Sequence, residues 1–277
     1  MASTLSSSTR PPSPQPFSEH TGFLRSATAA DIERELAAPH RLRLAEGRHG
    51  PKTITVAYAP FDHLNPEARV VIVGLTPGRQ QARNALEETR RLLQAGASEA
   101  EAMARAKVFA SFSGPMRANL VAMLDDVGLA RRLGLGSTEA LWGSAQRLVH
   151  FTSALRYPVF VDGQNYSGAP DILSTPLLRE QLLRWFAREM EALPHAVFVP
   201  LGPKVAAAVE WAAREAGVDA ARILAGLPHP SGANGERIAF FLGRKLRAAL
   251  SSKVDPDKLL AARASVEARV RALGDMA

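Results

Sequence analysis

The sequence predicts one doubly wound α/β domain, a three-layer αβα sandwich around a four-stranded, mainly parallel sheet. Three observations lead there. Residues 69–75 (RVVIVGL) form an unbroken apolar run, the pattern of a strand buried on both faces. The run stops at Thr76-Pro77-Gly78, and helical spacing resumes over residues 80–93. The same alternation of apolar run and helix returns further along the chain.

Taken in order, residues 1–20 are rich in Ser, Thr and Pro and read as a disordered tail. Residues 29–38 (AADIERELAA) read as a short helix with acids in its first turn. Residues 53–57 (TITVA) are β-branched and suit an edge strand. After the strand at 69–75 and its helix, residues 118–129 are helical and 148–154 (LVHFTSA) form a second buried strand. Thr175-Pro176 opens a helix, Thr at the cap and Pro at the first position, with Leu178, Leu182, Phe186 and Met190 in a stripe. Residues 195–201 (HAVFVPL) are the third strand, Gly202-Pro203 leads into a helix over 204–216, and 223–227 form a short fourth strand. Helices over 235–250 and 256–273 follow, the last capped by Asp255 with Pro256 at its first position. The main domain is placed at 21–250 and a C-terminal helix at 251–277.

Composition narrows the function. The 277 residues include no Cys, which removes disulfides, thiol nucleophiles, iron–sulfur clusters and Cys-ligated zinc. Thirty-four basic against 27 acidic residues give a formal charge of +7, compatible with a polyanionic partner. Residues 236–277 carry nine basic and five acidic side chains and read as a solvated face. No apolar stretch reaches the ~20 residues of a membrane span, and the first residues lack the apolar centre of a secretory signal. The expected setting is cytoplasmic, with no membrane. No Walker loop or GxGxxG motif is present, and LGLGST at 133–138 follows no strand. No cofactor and no metal are expected.

Ligands of such sheets bind outside the carboxyl ends of the strands. That rule selects residues 74–78, 153–166, 201–204 and 228–234. In Gly74-Leu75-Thr76-Pro77-Gly78, Pro and Gly fix a sharp turn, and the next helix offers free N–H groups to a polar ligand. The bland reading is a plain strand-to-helix turn. In Pro228-His229-Pro230-Ser231-Gly232-Ala233-Asn234, two prolines stiffen the backbone around a His able to stabilise a developing oxyanion. Its bland reading is a capping His in a surface loop.

GLTPG after a buried strand and HPSGAN after the last strand resemble the two signature motifs of the uracil-DNA glycosylase superfamily. Between them, FSGPMRANLVAMLDDVGL, HFTSAL and VFVPLGPKVAAAV resemble the family's stacking segment, base-reading strand, and the strand and helix before the second motif. The resemblance implies a four-stranded parallel sheet between helices, DNA as partner, and excision of a flipped-out base. Without Cys, it implies the cluster-free branches of the superfamily. It places Gly74, Leu75, Pro77, Gly78, Phe112 and Ser153 around the base, with Phe112 as the stacking aromatic and Phe109 as its rival. It gives His229 the role of stabilising the leaving base anion. Arg79, Arg83, Lys204, Ser231 and Asn234 are assigned to the DNA backbone or duplex.

The chain also departs from the family pattern. Thr76 stands where members place an Asn or Asp that positions or activates water, and Ser153 replaces the Asn that reads uracil. Ser lacks the paired donor and acceptor of an amide, and both changes shorten the side chain. The expected substrate is therefore a modified or damaged base rather than plain uracil. Asp62 is the first candidate for a displaced acid or base, with His63, Asp162, Asn165 and Asp171 behind it. The alternative function is a non-catalytic binder of DNA or nucleotides on the same fold.

Overall fold

A computed structural model describes residues 16–110, 115–274 and 276 of the chain. Its centre is a parallel sheet of β3 (Val70–Gly74), β4 (Val149–Ser153) and β7 (Val197–Pro200), ordered β4-β3-β7. Every residue of β3 is buried, as its unbroken apolar run requires. Alternate side chains enter two cores. Val71 and Val73 pack with Leu86, Leu182 and Phe186 on one face, while Val70 and Ile72 pack with Leu120, Leu124 and Ile238 on the other.

The parallel sheet has three full strands, not the expected four. Residues 223–227 contribute one parallel bridge, Ile223 to Phe198, and one further bond from the Leu224 N–H to the Phe198 carbonyl. Gly226, at φ 138°, then turns the chain away, and Pro228 has no N–H to continue a ladder.

A second sheet, antiparallel and not expected, has the order β1-β2-β5-β6. It comprises β1 (Arg43–His49), β2 (Lys52–Ala57), β5 (Val159–Val161) and β6 (Gln164–Asn165). The segment assigned to an edge strand, now β2, is internal because β1 and β5 pair with its two sides. β5 and β6 are joined by Asp162-Gly163, both at positive φ, the conformation of a type I′ hairpin turn.

Helix α1 (Pro16–Ser26) begins inside the segment assigned to the tail, because Phe17 and Leu24 are buried in the core. Residues 1–15 lie outside the described residues. Helix α2 (Ala29–Ala37) opens with a capping box between Thr28 and Asp31. On the same side of the sheet are α3 (Arg79–Gln94), α4 (Glu99–Ala110) and α9 (Pro203–Glu215), with α7 (Pro176–Gln181) and α8 (Arg188–Ala192) joined by a π turn over Leu182–Ala187. A four-residue step overshoots the 3.6-residue α turn, and the wider turn offsets that drift. Leu178, Leu182, Phe186 and Met190 all stay in the core as a result. Thr175 occupies the cap position of α7, but its hydroxyl makes no cap hydrogen bond.

The other face carries α5 (Pro115–Asp126), α6 (Leu129–Arg132), α10 (Gly235–Phe241) and α11 (Pro256–Ala272). The helix expected over 235–250 ends at Phe241, where Gly243 at φ 68° lets the Arg244 N–H close back on the Ala239 carbonyl. Asp255 caps α11 through the Lys258 N–H, with Pro256 at its first position. No helix among the described residues is long and apolar enough to cross a membrane.

Candidate active site

The carboxyl ends of the parallel strands open on one cavity of about 1110 Å³. Gly74, Leu75 and Thr76 enter it from the end of β3, Ser153 from β4, and Leu201 and Gly202 from β7. Pro228 and His229 reach it from the segment after Ile223. Met116, Tyr166, Ser167 and Lys204 also line it. Four chain segments far apart in sequence thus converge where a sheet of this class binds its ligand.

Local geometry fixes His229. Pro228 and Pro230 restrict its backbone, and Asn119 donates a 2.9 Å hydrogen bond to the Pro230 carbonyl. Gly202, at φ 89°, passes so close that an added Cβ would lie 3.2 Å from the His229 Cβ. The Ser231 N–H donates to His229 Nδ1 at 3.2 Å. Burial lowers the imidazole pKa and favours the neutral ring. With Nδ1 accepting, the proton of that neutral ring belongs on Nε2, which becomes a donor. Downstream, Asn234 donates to the Ser231 hydroxyl at 3.2 Å and accepts from Arg237 at 3.2 Å.

Thr76 lines the cavity, yet its hydroxyl has other work. It donates to the Tyr157 carbonyl at 2.9 Å and accepts from the Val159 N–H at 3.2 Å. These bonds tie the first motif to the β4–β5 connection and leave no proton acceptor of useful strength toward a water. The start of α3 is closed as well. Gln81 accepts from the Gly78 N–H, and Asn165 accepts from the Arg79 N–H at 3.0 Å. The side-chain amides occupy the anion-seeking helix end, and Pro77 and Gly78 lie outside the cavity lining.

Asp62 is in a different place. It is 6% exposed, accepts from the Tyr157 hydroxyl at 2.7 Å and the Tyr58 hydroxyl at 3.0 Å, and does not line the cavity. Burial raises its pKa, against the lowering effect of the Tyr157 hydrogen bond. The other displaced-base candidates are also structural. His63 gives its carbonyl to Lys107, Asp162 caps the Thr53 N–H, and Asp171 accepts from the Leu173 and Ser174 N–H groups.

The basic candidates divide. Lys204 stands at the cavity and donates to the carbonyls of Ser167 and Gly168. Arg79 is bound by the carbonyls of Leu36 and Gly163 and stacks on Phe160, away from the cavity. Arg83 is held by Glu33. Ser231 supports Asn234 but lies outside the lining, whereas Asn234 is part of it. Phe112 lies outside the described residues. Its rival Phe109 is 61% exposed and not in the cavity wall.

A second polar group, missed from sequence, lies within the core of the α3–α4 side. Glu189 of α8 meets Arg156 at 2.7 Å, His150 at 3.5 Å and Lys107 at 3.9 Å. Burial opposes the charge on Glu189, but Arg156, Lys107 and His150 outweigh it and hold the carboxyl well below its ordinary range. Burial lowers Lys107 to about 8, and burial with the Lys107 charge lowers His150 to about 4. Helical spacing gives Glu189 as one face of the 176–192 helix, but nothing local announces partners at 107, 150 and 156. For Tyr166 and Ser167 a signal existed: the Asp-Gly pair at 162–163 marks the hairpin that delivers them to the cavity.

Among the described residues no cluster of His, Asp or Glu is grouped to hold a metal ion. The sequence profile of the family described as "Uracil DNA glycosylase superfamily" matches residues 61–251. The chain is 34% identical over 233 residues to the uncharacterized protein YoxB of Bacillus subtilis (strain 168), covering 83% of this chain and 88% of that protein. No solved structure matches it.

Proposed function

This chain belongs to the uracil-DNA glycosylase superfamily, and on that premise we propose that it is a monofunctional DNA glycosylase acting on a modified or damaged base rather than plain uracil. Membership supports a DNA glycosylase-like function and DNA as the partner. The observation that carries the catalytic reading is His229: a half-buried neutral imidazole, accepting at Nδ1, at the edge of a cavity formed by strand ends.

In this reading the base leaves the duplex and enters the cavity between the Thr76 and Ser153 side and the 228–234 loop. The C1′–N bond breaks with its electron pair moving to the base, and positive charge develops on the sugar. His229 Nε2–H donates to the base anion as it forms. Water then adds to C1′; its oxygen bonds to the sugar carbon and its proton passes to the base or solvent. The strong stabilisation of the leaving group lessens the need for a strong general base, which suits a site where Thr76 is a structural strut. Ser153 offers one hydroxyl where uracil recognition uses a donor and an acceptor together, which supports a different base.

The committed Thr76 hydroxyl also favours a second reading, a binder without catalysis, since the carboxylates that line the cavity are Glu210 and Asp255 rather than a group beside Thr76. Duplex and single-stranded oligonucleotides carrying uracil, alkylated and oxidised purines, or bulky modified pyrimidines separate the two. Strand breakage after abasic-site cleavage on a non-uracil substrate supports the glycosylase. DNA affinity without breakage on any substrate supports the binder.

A further inference from the structure

The family match ends at residue 251, but the cavity does not. Lys253, Asp255, Lys258, Leu259 and Ala262 form part of its wall, all from the segment that runs into α11. This segment is firmly placed. Val266 and Val270 are buried in the core, and Arg263 pairs with Asp126 and Glu267. The contact with Gly226 is too close for a side chain, since an added Cβ would lie 2.8 Å from the Ala262 carbonyl oxygen.

Around this wall both paired and unpaired cations occur. Lys245 is paired with Glu236 and Arg247 with Asp257. Among the described residues Lys204, Arg237, Lys253 and Lys258 are in no ion pair, and all four line the cavity. Two carboxylates share the lining. Asp255 accepts the Lys258 N–H as the helix cap, and Glu210 stands on α9. Arg237 links the two halves of the wall, donating to the Lys253 carbonyl at 2.7 Å and to Asn234 at 3.2 Å. The row of cations is therefore continuous with the loop that holds His229.

We propose that Lys253 and Lys258, just beyond the family match, hold phosphates of the DNA strand flanking the flipped nucleotide, with Arg237 fixing their position against the 228–234 loop. This rests on the DNA reading above. A strand whose base enters the cavity must carry its adjacent phosphates past the rim, and unpaired lysines there release counterions when they meet them. Exposed, unpaired side chains also leave the fold intact when replaced.

The test compares the full chain with the double variant Lys253→Gln/Lys258→Gln on a fluorescent duplex containing one abasic site, by anisotropy from 50 to 200 mM salt. Losing two phosphate contacts should reduce the slope of log affinity against log salt by about 1.8 and weaken binding most at low salt. Arg91→Gln, which removes a cation held by Glu88 away from the cavity, should leave the slope unchanged. Wild-type slope and affinity in the double variant would overturn the proposal and leave the DNA reading standing. Absence of salt-dependent binding by the wild-type chain would overturn both.

Discussion

The cavity at the strand ends and the ionic group around Glu189 are both rich in polar side chains, but they handle charge in opposite ways. Around Glu189 the groups are largely buried, Glu189, Lys107 and His150 are strongly shifted, and Arg156 and Lys107 compensate the carboxylate. At the cavity His229 is half-buried, with burial lowering its pKa, and nearby cations stand without carboxylate partners. Perturbed titration often marks an active site, yet structural ion networks perturb it as well. Here large shifts accompany the buried ionic group, while the cations that line the cavity have no carboxylate partner among the described residues. Asp62 belongs with the first region, since two tyrosine hydroxyls already serve its carboxylate.

The contrast can be broken most directly at Glu189. Glu189→Gln removes the carboxylate that pairs with Arg156 and Lys107 inside the fold and should cost about 3–5 kcal/mol of stability, measured by urea denaturation. A loss below 1 kcal/mol would mean that the cluster is not the scaffold described. His229→Ala should do the reverse. Its single-turnover excision rate on the active substrate falls by about 10²–10³ while the urea midpoint stays near wild type. An unchanged rate removes His229 from the chemistry.

Thr76→Ala tests which region the first motif serves. It leaves the Val159 N–H without its partner and should destabilise by about 1–3 kcal/mol, with Thr76→Ser restoring most of the loss. A large rate defect at full stability would instead return Thr76 to the reaction.

The pH response sharpens the comparison further. His150 has an ordinary pKa near 6.5 when unfolded and about 4 in the fold. The unfolded chain therefore takes up a proton first, and stability falls as pH drops from 6.5 towards 4. Glu189, lowered by its cationic neighbours, adds a further loss as pH falls through the ordinary glutamate range. His150→Gln should flatten the upper part of that decline in melting curves recorded across the window. His229, also lowered, contributes in the same direction, so His229→Ala is the control that separates the two.

Legibility in the sequence followed burial and continuity. The unbroken run of β3 and the Gly/Pro turns after it gave away the parallel sheet and the position of the cavity. β1 reads RLAEGRH, with Glu46 and Arg48 among its residues, and shows no apolar signal because one side of it faces solvent. Residues 223–227 are apolar enough for a strand, but a bend imposed by Gly226 is invisible in hydrophobicity alone. At the site, the stiff Pro-His-Pro sequence located His229. Asp62 and Arg79 looked equally available, since no local pattern shows that Tyr157 and Phe160, about a hundred residues away, engage them.

The close approach of Gly226 to Ala262 means that the unit which folds is longer than the segment matched to the family, residues 61–251. A chain ended after residue 250 would open the core in which Leu224, Leu227 and Ile238 are buried together with Val266 and Val270. It would also lose one wall of the cavity. Any widening of Gly226, even to alanine, presses on the same seam from the opposite side. Inheritance of the terminal helix and of that single glycine should therefore be joint: a relative lacking one has no reason to keep the other.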